Sequence, residues 1–217
     1  MLLHRLHRGR GGFTLVEVLL SVVILGSLLG TVFVVQKQGQ SAAVASQAQL
    51  QASLKASRLL DRVVRELQSM GSDAATPVQS TSLGTDTLDW QVSLGVTGGA
   101  VQWSNTNRFA LAMAPGEADN GVDDDGDGLV DERALVLTYE VGTANQRSVT
   151  LCDAVAELAP RETANALDDN GNGVADERGF NLHRTGDILE VRITVQGTGP
   201  EGSVVSASVE TSFRVRN

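Results

Sequence analysis

Residues 11–20 read GGFTLVEVLL, and an almost uninterrupted run of apolar residues continues from there to Val35. A helix rises about 1.5 Å per residue, so about 20 apolar residues are enough to cross the hydrocarbon core of a bilayer. Residues 13–35 are long enough to do so, and Glu17 is the only charged residue among them. This segment therefore predicts a membrane-spanning helix that carries one carboxylate near its start.

Glu17 requires an explanation, because a charged side chain within a membrane helix costs about 3 kcal/mol or more unless another group compensates it. Buried charges are tolerated mainly when they are paired with an opposite charge. We therefore expect Glu17 to have a functional role and a positively charged partner.

Residues 1–12 form a short basic segment before the apolar run, with three arginines and no acidic residue. A basic segment followed by an apolar one is typical of membrane targeting and keeps the N-terminal end in the cytoplasm. A secretory signal has its small-residue cleavage site after the apolar run, whereas the pair Gly11–Gly12 lies before it. Cleavage after Gly12 would leave the apolar helix on the mature chain, with Phe13 as the new N-terminus.

The segment GFTLVE, residues 12–17, resembles the leader junction of type IV prepilins and type II secretion pseudopilins. The resemblance implies that a membrane peptidase cuts after Gly12 and methylates the amino group of Phe13. It also implies that Glu17, the fifth residue of the mature chain, pairs with the N-terminal amine of a neighbouring subunit during assembly. The alternative is a plain signal anchor in which the glutamate is accidental.

The remainder of the chain has room for a long helix and one globular domain of ordinary size. Aromatic residues make up only 4% of the sequence, so a core should consist largely of Val, Leu and Ala. Cys152 is the only cysteine, which excludes an intrachain disulfide, and we expect it to be a small buried strand residue. His183 is isolated, and the sequence contains no nucleophile elbow, phosphate-binding loop or paired histidines, so we expect no enzymatic activity.

The apolar helix is predicted to continue to about Met70, because no proline occurs before Pro77 and leucines recur at helical spacing. Residues 36–70 would form the amphipathic half of this helix, and residues 71–87, rich in Ser, Thr and Gly, would form a linker. The apolar stripe predicted to pack on a sheet consists of Leu50, Leu54, Leu59, Leu60, Val63, Val64, Leu67 and Met70.

Residues 88–217 are predicted to form a β-rich head domain. Strand-like runs predict strands at residues 88–96, 101–104, 108–114, 134–141, 147–154, 188–196 and 204–216. Apolar and polar residues alternate in the last two. One long helix followed by consecutive strands, without βαβ alternation, predicts an α+β fold with an antiparallel sheet. The pilin resemblance implies the same fold.

A looser similarity concerns the larger minor members of this superfamily, the J-type pseudopilins and the W-type minor pilins. It covers the helix end at residues 59–67 and the closing strand at residues 209–217. Glu17 distinguishes the chain from the tip-most type of pseudopilin, which lacks that glutamate.

The negative charge of the chain is concentrated in residues 119–133 and 165–178. The first segment contains seven acidic residues and one arginine, and the second contains four and one, which together equal the net charge of −9. Binding to nucleic-acid phosphates requires clustered Lys and Arg. No such cluster occurs beyond the leader, so we expect no nucleic-acid partner.

The two acidic segments repeat one another: DDDGDGLVDER at residues 123–133 aligns with DDNGNGVADER at residues 168–178, 45 positions later. Oxygen ligands at alternate positions, then a glycine and another carboxylate, are typical of loops that wrap a calcium ion. A pair of solvated acidic turns is the alternative. The repetition favours calcium, and the sequence therefore predicts up to two calcium ions.

The predicted sites depart from the EF-hand at its twelfth position, where Ala134 and Gly179 replace the usual glutamate. The aspartates at the ninth position are then expected to close each loop, with Glu132 and Glu177 as additional candidates. The predicted ligands, which include the backbone carbonyls of Leu129 and Val174, are Asp123, Asp125, Asp127, Leu129 and Asp131 in the first loop and Asp168, Asn170, Asn172, Val174 and Asp176 in the second.

These observations predict a minor pilin or pseudopilin with a calcium-binding head. The expected location is the bacterial inner membrane, crossed once, with the head in the periplasm and the assembled filament in the periplasm or at the cell surface. The expected partners are other pilin or pseudopilin subunits, the prepilin peptidase and methylase, and the membrane itself. The alternative is a monomeric, membrane-anchored, calcium-dependent adhesin or sensor that never polymerises. A tethered hydrolase lacks a supporting set of residues.

Overall fold

The computed structural model describes residues 12, 14–71 and 85–215. Two compact units are present, Met1–Ala43 and Val44–Asn217. Residues 1–11, Phe13 and most of the predicted linker lie outside the described residues. Among the described residues, one α-helix, α1 (Leu15–Leu67, 53 residues), precedes nine β-strands.

Helix α1 begins at Leu15 because Thr14 and Glu17 form a reciprocal cap. The backbone N–H of Glu17 donates to Thr14 Oγ1 at 3.3 Å, and the backbone N–H of Thr14 donates to Glu17 Oε2 at 3.4 Å. This arrangement is a capping box, which satisfies N–H groups that have no partner within the helix. Glu17 therefore has a local structural role in addition to the role that the family resemblance implies.

The second unit contains the part of α1 that packs on the sheet. The buried residues of α1 follow helical spacing, but the stripe includes two alanines and differs from the prediction at its start. Leu50 and Leu54 are 60% and 46% exposed, respectively, whereas Ala52 and Ala56 are buried. The face of α1 that is buried therefore passes through positions 52 and 56, and the two leucines lie outside this face. The buried residues of α1 are Ala52, Ala56, Leu59, Val63 and Leu67.

The helix ends at Leu67, three residues before the predicted end. Met70 forms an isolated antiparallel bridge with Val92, and the N–H of Gly71 donates to the carbonyl of Gln91 at 3.1 Å. Because these backbone groups pair with an extended segment, they cannot continue the helix.

The nine strands are β1 Thr87–Trp90, β2 Ser93–Thr97, β3 Ala100–Trp103, β4 Asn107–Met113, β5 Arg133–Tyr139, β6 Arg147–Val155, β7 Phe180–Thr185, β8 Ile188–Thr198 and β9 Val204–Arg214. Seven of them form one antiparallel sheet in the order β1-β4-β5-β6-β8-β7, with β9 pairing on β8. Strands β2 and β3 form a separate antiparallel hairpin. The predicted α+β fold with an antiparallel sheet is confirmed.

The strand predictions were wrong in two places. The predicted strand 88–96 is two strands, because β1 pairs with β4 whereas β2 turns away to pair with β3. Strand β7 was missed, although Phe180 and Leu182 are buried on alternate positions. In the sequence, apolar and polar residues alternate over only four positions here, next to an acidic segment, and this pattern was too short to predict a strand.

The core lies between the buried stripe of α1 and one face of the sheet. Its few aromatic side chains are central: Trp90 stacks on Phe109 at a centroid distance of 4.6 Å, and Phe109 meets Phe180 edge-on at 6.1 Å. Cys152 lies on β6 as predicted, but it is half-buried rather than buried.

Candidate functional site

The N-terminal part of α1 exposes its apolar side chains. From Leu15 to Val35, every residue of the helix is exposed. Among the described residues, α1 is the one helix that is long and apolar enough to cross a membrane. Side chains of this kind are stable when they face lipid or neighbouring apolar helices.

The structure places the predicted assembly residues at the start of this helix. Gly12 is an exposed residue before α1, Glu17 lies in the first turn of the helix, and Phe13 is outside the described residues. The charge of Glu17 is therefore at the same end of α1 as the predicted cleavage site.

The two acidic segments fold as two copies of one loop. We call residues 114–133 the first acidic repeat and residues 159–178 the second. Each copy is closed at its base by the same backbone hydrogen bond: Ala114 N donates to Glu132 O at 3.1 Å, and Ala159 N donates to Glu177 O at 2.8 Å. The repeat thus extends further upstream than the acidic residues that revealed it.

The loop conformations also correspond position by position. Glycines in the left-handed region have nearly identical φ angles in the two copies, 81° at Gly126 and 79° at Gly171. At the ninth loop position, where such angles are unfavourable for non-glycine residues, Asp131 has φ 52° and Asp176 has φ 49°. The two repeats therefore share the same backbone conformation at these positions.

The first loop aspartate organises the turn in each repeat. The two carboxylate oxygens of Asp123 accept hydrogen bonds from the backbone N–H groups of Gly126 at 2.6 Å and Gly128 at 2.9 Å. In the second repeat, Asp168 accepts the corresponding bonds from residues 171–173. These bonds to the charged form hold the pKa of Asp168 below its ordinary value.

The two aspartates predicted to close the calcium sites, Asp131 and Asp176, instead accept hydrogen bonds from backbone N–H groups at the start of each acidic segment. The carboxylate of Asp131 accepts hydrogen bonds from the backbone N–H groups of Asn120 and Gly121 at 2.8–3.1 Å. Asp176 accepts the equivalent bonds from residues 165–166. Neither belongs to a described acidic group with the spacing needed to share a metal ion.

Glu117 takes a central place that the sequence reasoning missed. Its Oε1 accepts hydrogen bonds from the N–H groups of Asp124 and Asp125, both at 3.0 Å, and its Oε2 accepts one from Asp131 at 3.3 Å. Glu162 makes two of the same three contacts in the second repeat. The sequence could have revealed Glu117, because the 45-residue repeat continues upstream of the acidic segments as the pattern Ala-Pro-x-Glu, at residues 114–117 and 159–162.

The first repeat brings two groups of carboxylates together. Asp123, Asp125 and Asp127 each offer an oxygen within 4.8 Å of the others, and this group belongs to the predicted ligand set. A second group with the same spacing consists of Glu117, Asp125 and Glu132. Asp125 belongs to both groups, so the two are adjacent.

Glu132 is the buried member of the second group. It is only 1% exposed, and among the described residues its Oε2 has no hydrogen-bond partner. Burial, together with the negative charges of Asp127, Glu117 and Asp125, raises the pKa of Glu132 to about 7. A buried carboxylate beside other carboxylates is a group that a cation would stabilise.

The equivalent glutamate of the second repeat is fully paired. Glu177 is also 1% exposed, and its Oε1 accepts a hydrogen bond from Arg192 Nη1 at 2.6 Å. Its Oε2 accepts hydrogen bonds from the side-chain amides of Asn170, at 3.0 Å, and Asn172. The second repeat therefore neutralises its buried carboxylate with groups of the same chain.

The two repeats meet at their bases. Oε1 of Glu157 accepts a hydrogen bond from Arg133 at 3.0 Å and another from Arg178 at 2.8 Å. These arginines are the last residues of the two repeats. The ends of both loops are thus held by ion pairs to one shared carboxylate.

Comparison with known proteins returned one match. Residues 7–33 match the family described as the prokaryotic N-terminal methylation motif. No curated protein and no solved structure matches the chain. The matched residues include the second half of the basic segment, Gly12, Phe13 and Glu17 and reach far into the apolar helix. The matched motif supports a relationship of this chain to the type IV prepilin and pseudopilin class.

Proposed function

We propose that this protein is a minor pilin or pseudopilin, a subunit that joins a type IV pilus or type II secretion filament through its N-terminal helix. The observation that carries this proposal is the methylation motif at residues 7–33, which leads directly into an exposed apolar helix. Before assembly, the helix anchors the precursor once in the inner membrane, with the head domain in the periplasm.

The exposed apolar surface of the first unit supports this proposal. Side chains of this length and composition need lipid before assembly and neighbouring helices afterwards. Glu17 is the one charged residue in the apolar segment, and the amine of a neighbouring subunit would compensate its charge. The minor subtype rests on the looser similarity at residues 59–67 and 209–217.

The first prediction concerns processing. Replacement of Gly12 by alanine is expected to abolish cleavage by the prepilin peptidase, so that the full-length precursor accumulates in the membrane. A suitable measurement is the mass of the protein recovered from cells that express the peptidase. Replacement of Gly39 by alanine, at a helix position where the added methyl group meets no other atom, provides a matched control that should be cleaved normally. Normal shortening of the Gly12→Ala variant would contradict the proposal.

We also propose that the head domain binds calcium through the first acidic repeat. The support is the set of carboxylates with metal-binding spacing, combined with the buried Oε2 of Glu132, for which the described residues provide no hydrogen-bond partner. Calcium accepts six to eight oxygen ligands in flexible geometry, which suits a loop of this kind. Calcium in the second repeat stays a prediction from the sequence.

The second prediction concerns metal removal. Calcium at a concentration 100-fold above its Kd should stabilise the folded head by about 2.7 kcal/mol, because the ion binds only the folded loop. For a domain of this size, the thermal midpoint should then rise by roughly 5–10 °C relative to the same sample in EDTA. Identical unfolding curves of the full chain in detergent, with calcium chloride and with EDTA, would rule out the calcium proposal.

A further inference from the structure

We infer that the two acidic repeats have diverged, so that the first binds a single calcium ion at the buried carboxylate of Glu132 whereas the second is neutralised internally by Arg192. This inference rests on the calcium binding proposed above. It names the ligands of that site and limits the molecule to one ion.

The comparison between the repeats is close because their backbones are equivalent. Both are closed by the same bond between an alanine N–H and a glutamate carbonyl. Glu117 in the first repeat and Glu162 in the second accept backbone N–H groups at corresponding positions. A difference in cation binding must therefore come from the side chains around the buried glutamate.

In the first repeat, the surroundings of the buried glutamate are acidic. Glu132 shares the 4.8 Å spacing with Glu117 and Asp125, and its Oε2 has no hydrogen-bond donor among the described residues. Leaving a buried carboxylate uncompensated is costly, and like charges this close disfavour each other's ionised forms. One divalent cation would satisfy the free oxygen and remove the repulsion at the same time.

In the second repeat, three side chains of the protein pair with the buried carboxylate of Glu177. Asparagines replace two aspartates, Asn170 at the position of Asp125 and Asn172 at the position of Asp127. Both donate a side-chain N–H to the buried glutamate, where the aspartates of the first repeat can only accept. Arg192 supplies the positive charge directly, at 2.6 Å from Glu177. A metal ion at this place would have to displace that guanidinium.

The buried group and the outer group of the first repeat define one site rather than two. Asp125 belongs to both groups, so a calcium ion bound to its carboxylate would have Glu117 and Glu132 of one group and Asp123 and Asp127 of the other as its candidate ligands. A second divalent ion in the same loop would be repelled by the first. Glu132 anchors this site from the interior, and the exposed aspartates complete it.

The test is calorimetric titration of calcium chloride into the full-length protein in detergent. The wild-type protein should bind one ion per chain. Glu132→Gln and Asp125→Asn should each weaken binding about tenfold or more, since even the loss of an outer-shell group typically costs 10–100-fold in metal affinity. Asp125→Asn is compatible with the loop conformation, because Asn170 occupies that position in the second repeat. The matched control, Glu177→Gln, should leave both stoichiometry and affinity unchanged.

The other possible results of the titration distinguish between the divergence of the repeats, the buried anchor at Glu132 and the calcium proposal as a whole. Two ions per wild-type chain, or the loss of one ion in Glu177→Gln, would overturn the divergence of the repeats while the calcium proposal stands. Wild-type affinity in both Glu132→Gln and Asp125→Asn would overturn the buried anchor. No calcium binding by the folded wild-type protein would overturn this inference together with the calcium proposal, but it would leave the filament proposal intact. Circular dichroism of every variant in EDTA verifies that the fold is retained.

Discussion

Replacement of Glu17 by alanine is expected to abolish incorporation of this protein into filaments while its insertion into the membrane persists. Under the proposed function, the carboxylate pairs with the N-terminal amine of a neighbouring subunit in an apolar environment, where such a pair lacks competition from water. Membrane insertion should not suffer, because removal of a charge from the apolar segment lowers the cost of insertion. The measurement is the amount of this subunit in purified filaments relative to the amount in the membrane fraction.

The capping box makes a sharper version of this experiment necessary. Glu17 also accepts the N–H of Thr14, so the alanine variant loses a helix cap as well as a charge. Glu17→Gln retains a side chain that suits the capping box but lacks the charge, and Thr14→Ala removes the other half of the cap while the charge remains. We expect Glu17→Gln to fail in assembly and Thr14→Ala to be incorporated. The reverse result would show that the cap, rather than the charge, is what assembly requires.

Replacement of Gly179 by alanine is expected to destabilise the head domain severely. A Cβ atom at this position would lie 2.0 Å from the carbonyl oxygen of Ala156 and 2.8 Å from its carbonyl carbon. These are backbone atoms. The N–H of Gly179 donates a hydrogen bond to the carbonyl of Glu157, and its carbonyl accepts one from the N–H of Thr194. The backbone at Gly179 therefore cannot move away from Ala156 without breaking these hydrogen bonds. Overpacking costs about 1–3 kcal/mol and occasionally more, and we expect a value of about 3 kcal/mol here.

The matched control is Gly197→Ala on strand β8. Its added Cβ atom would meet only Val205 Cγ2 at 3.8 Å, an ordinary van der Waals distance. Thermal unfolding of the full chain should show a midpoint lowered by roughly 6–12 °C for Gly179→Ala and almost unchanged for Gly197→Ala. Equal midpoints for the two variants would contradict the close packing of the Ala156 backbone against Gly179.

The same position illustrates what sequence repetition cannot show. Gly179, which follows the second repeat, corresponds to Ala134, which follows the first and whose Cβ atom is accommodated in the core. The two positions differ because the chain segments that surround them differ. Only the fold reveals that the backbone of Ala156 lies against Gly179.

Periodic signals in the sequence were sufficient for most of the fold. The alternation at Leu189, Val191, Ile193 and Val195 predicted a half-buried strand, and all four side chains are buried on β8. The helical stripe was predicted with the correct spacing but with a wrong start, because Ala52 and Ala56 are the buried residues there, whereas Leu50 and Leu54 are exposed. Small residues such as alanine give a weak hydrophobic signal in the sequence.

The candidate sites likewise have some features that the sequence predicted and others that only the tertiary structure shows. Residues 7–33 were recognisable from sequence because a membrane helix and its leader are read locally, residue after residue, by length, charge and polarity. The composition of the acidic repeats likewise indicated a cation. Only the tertiary structure decided that Glu132 is buried and that its Oε2 has no hydrogen-bond partner in the described part of the chain, whereas Glu177 forms an ion pair with Arg192 of strand β8. The physical reason is that burial and pairing depend on strands distant in sequence, which the 45-residue repetition does not encode.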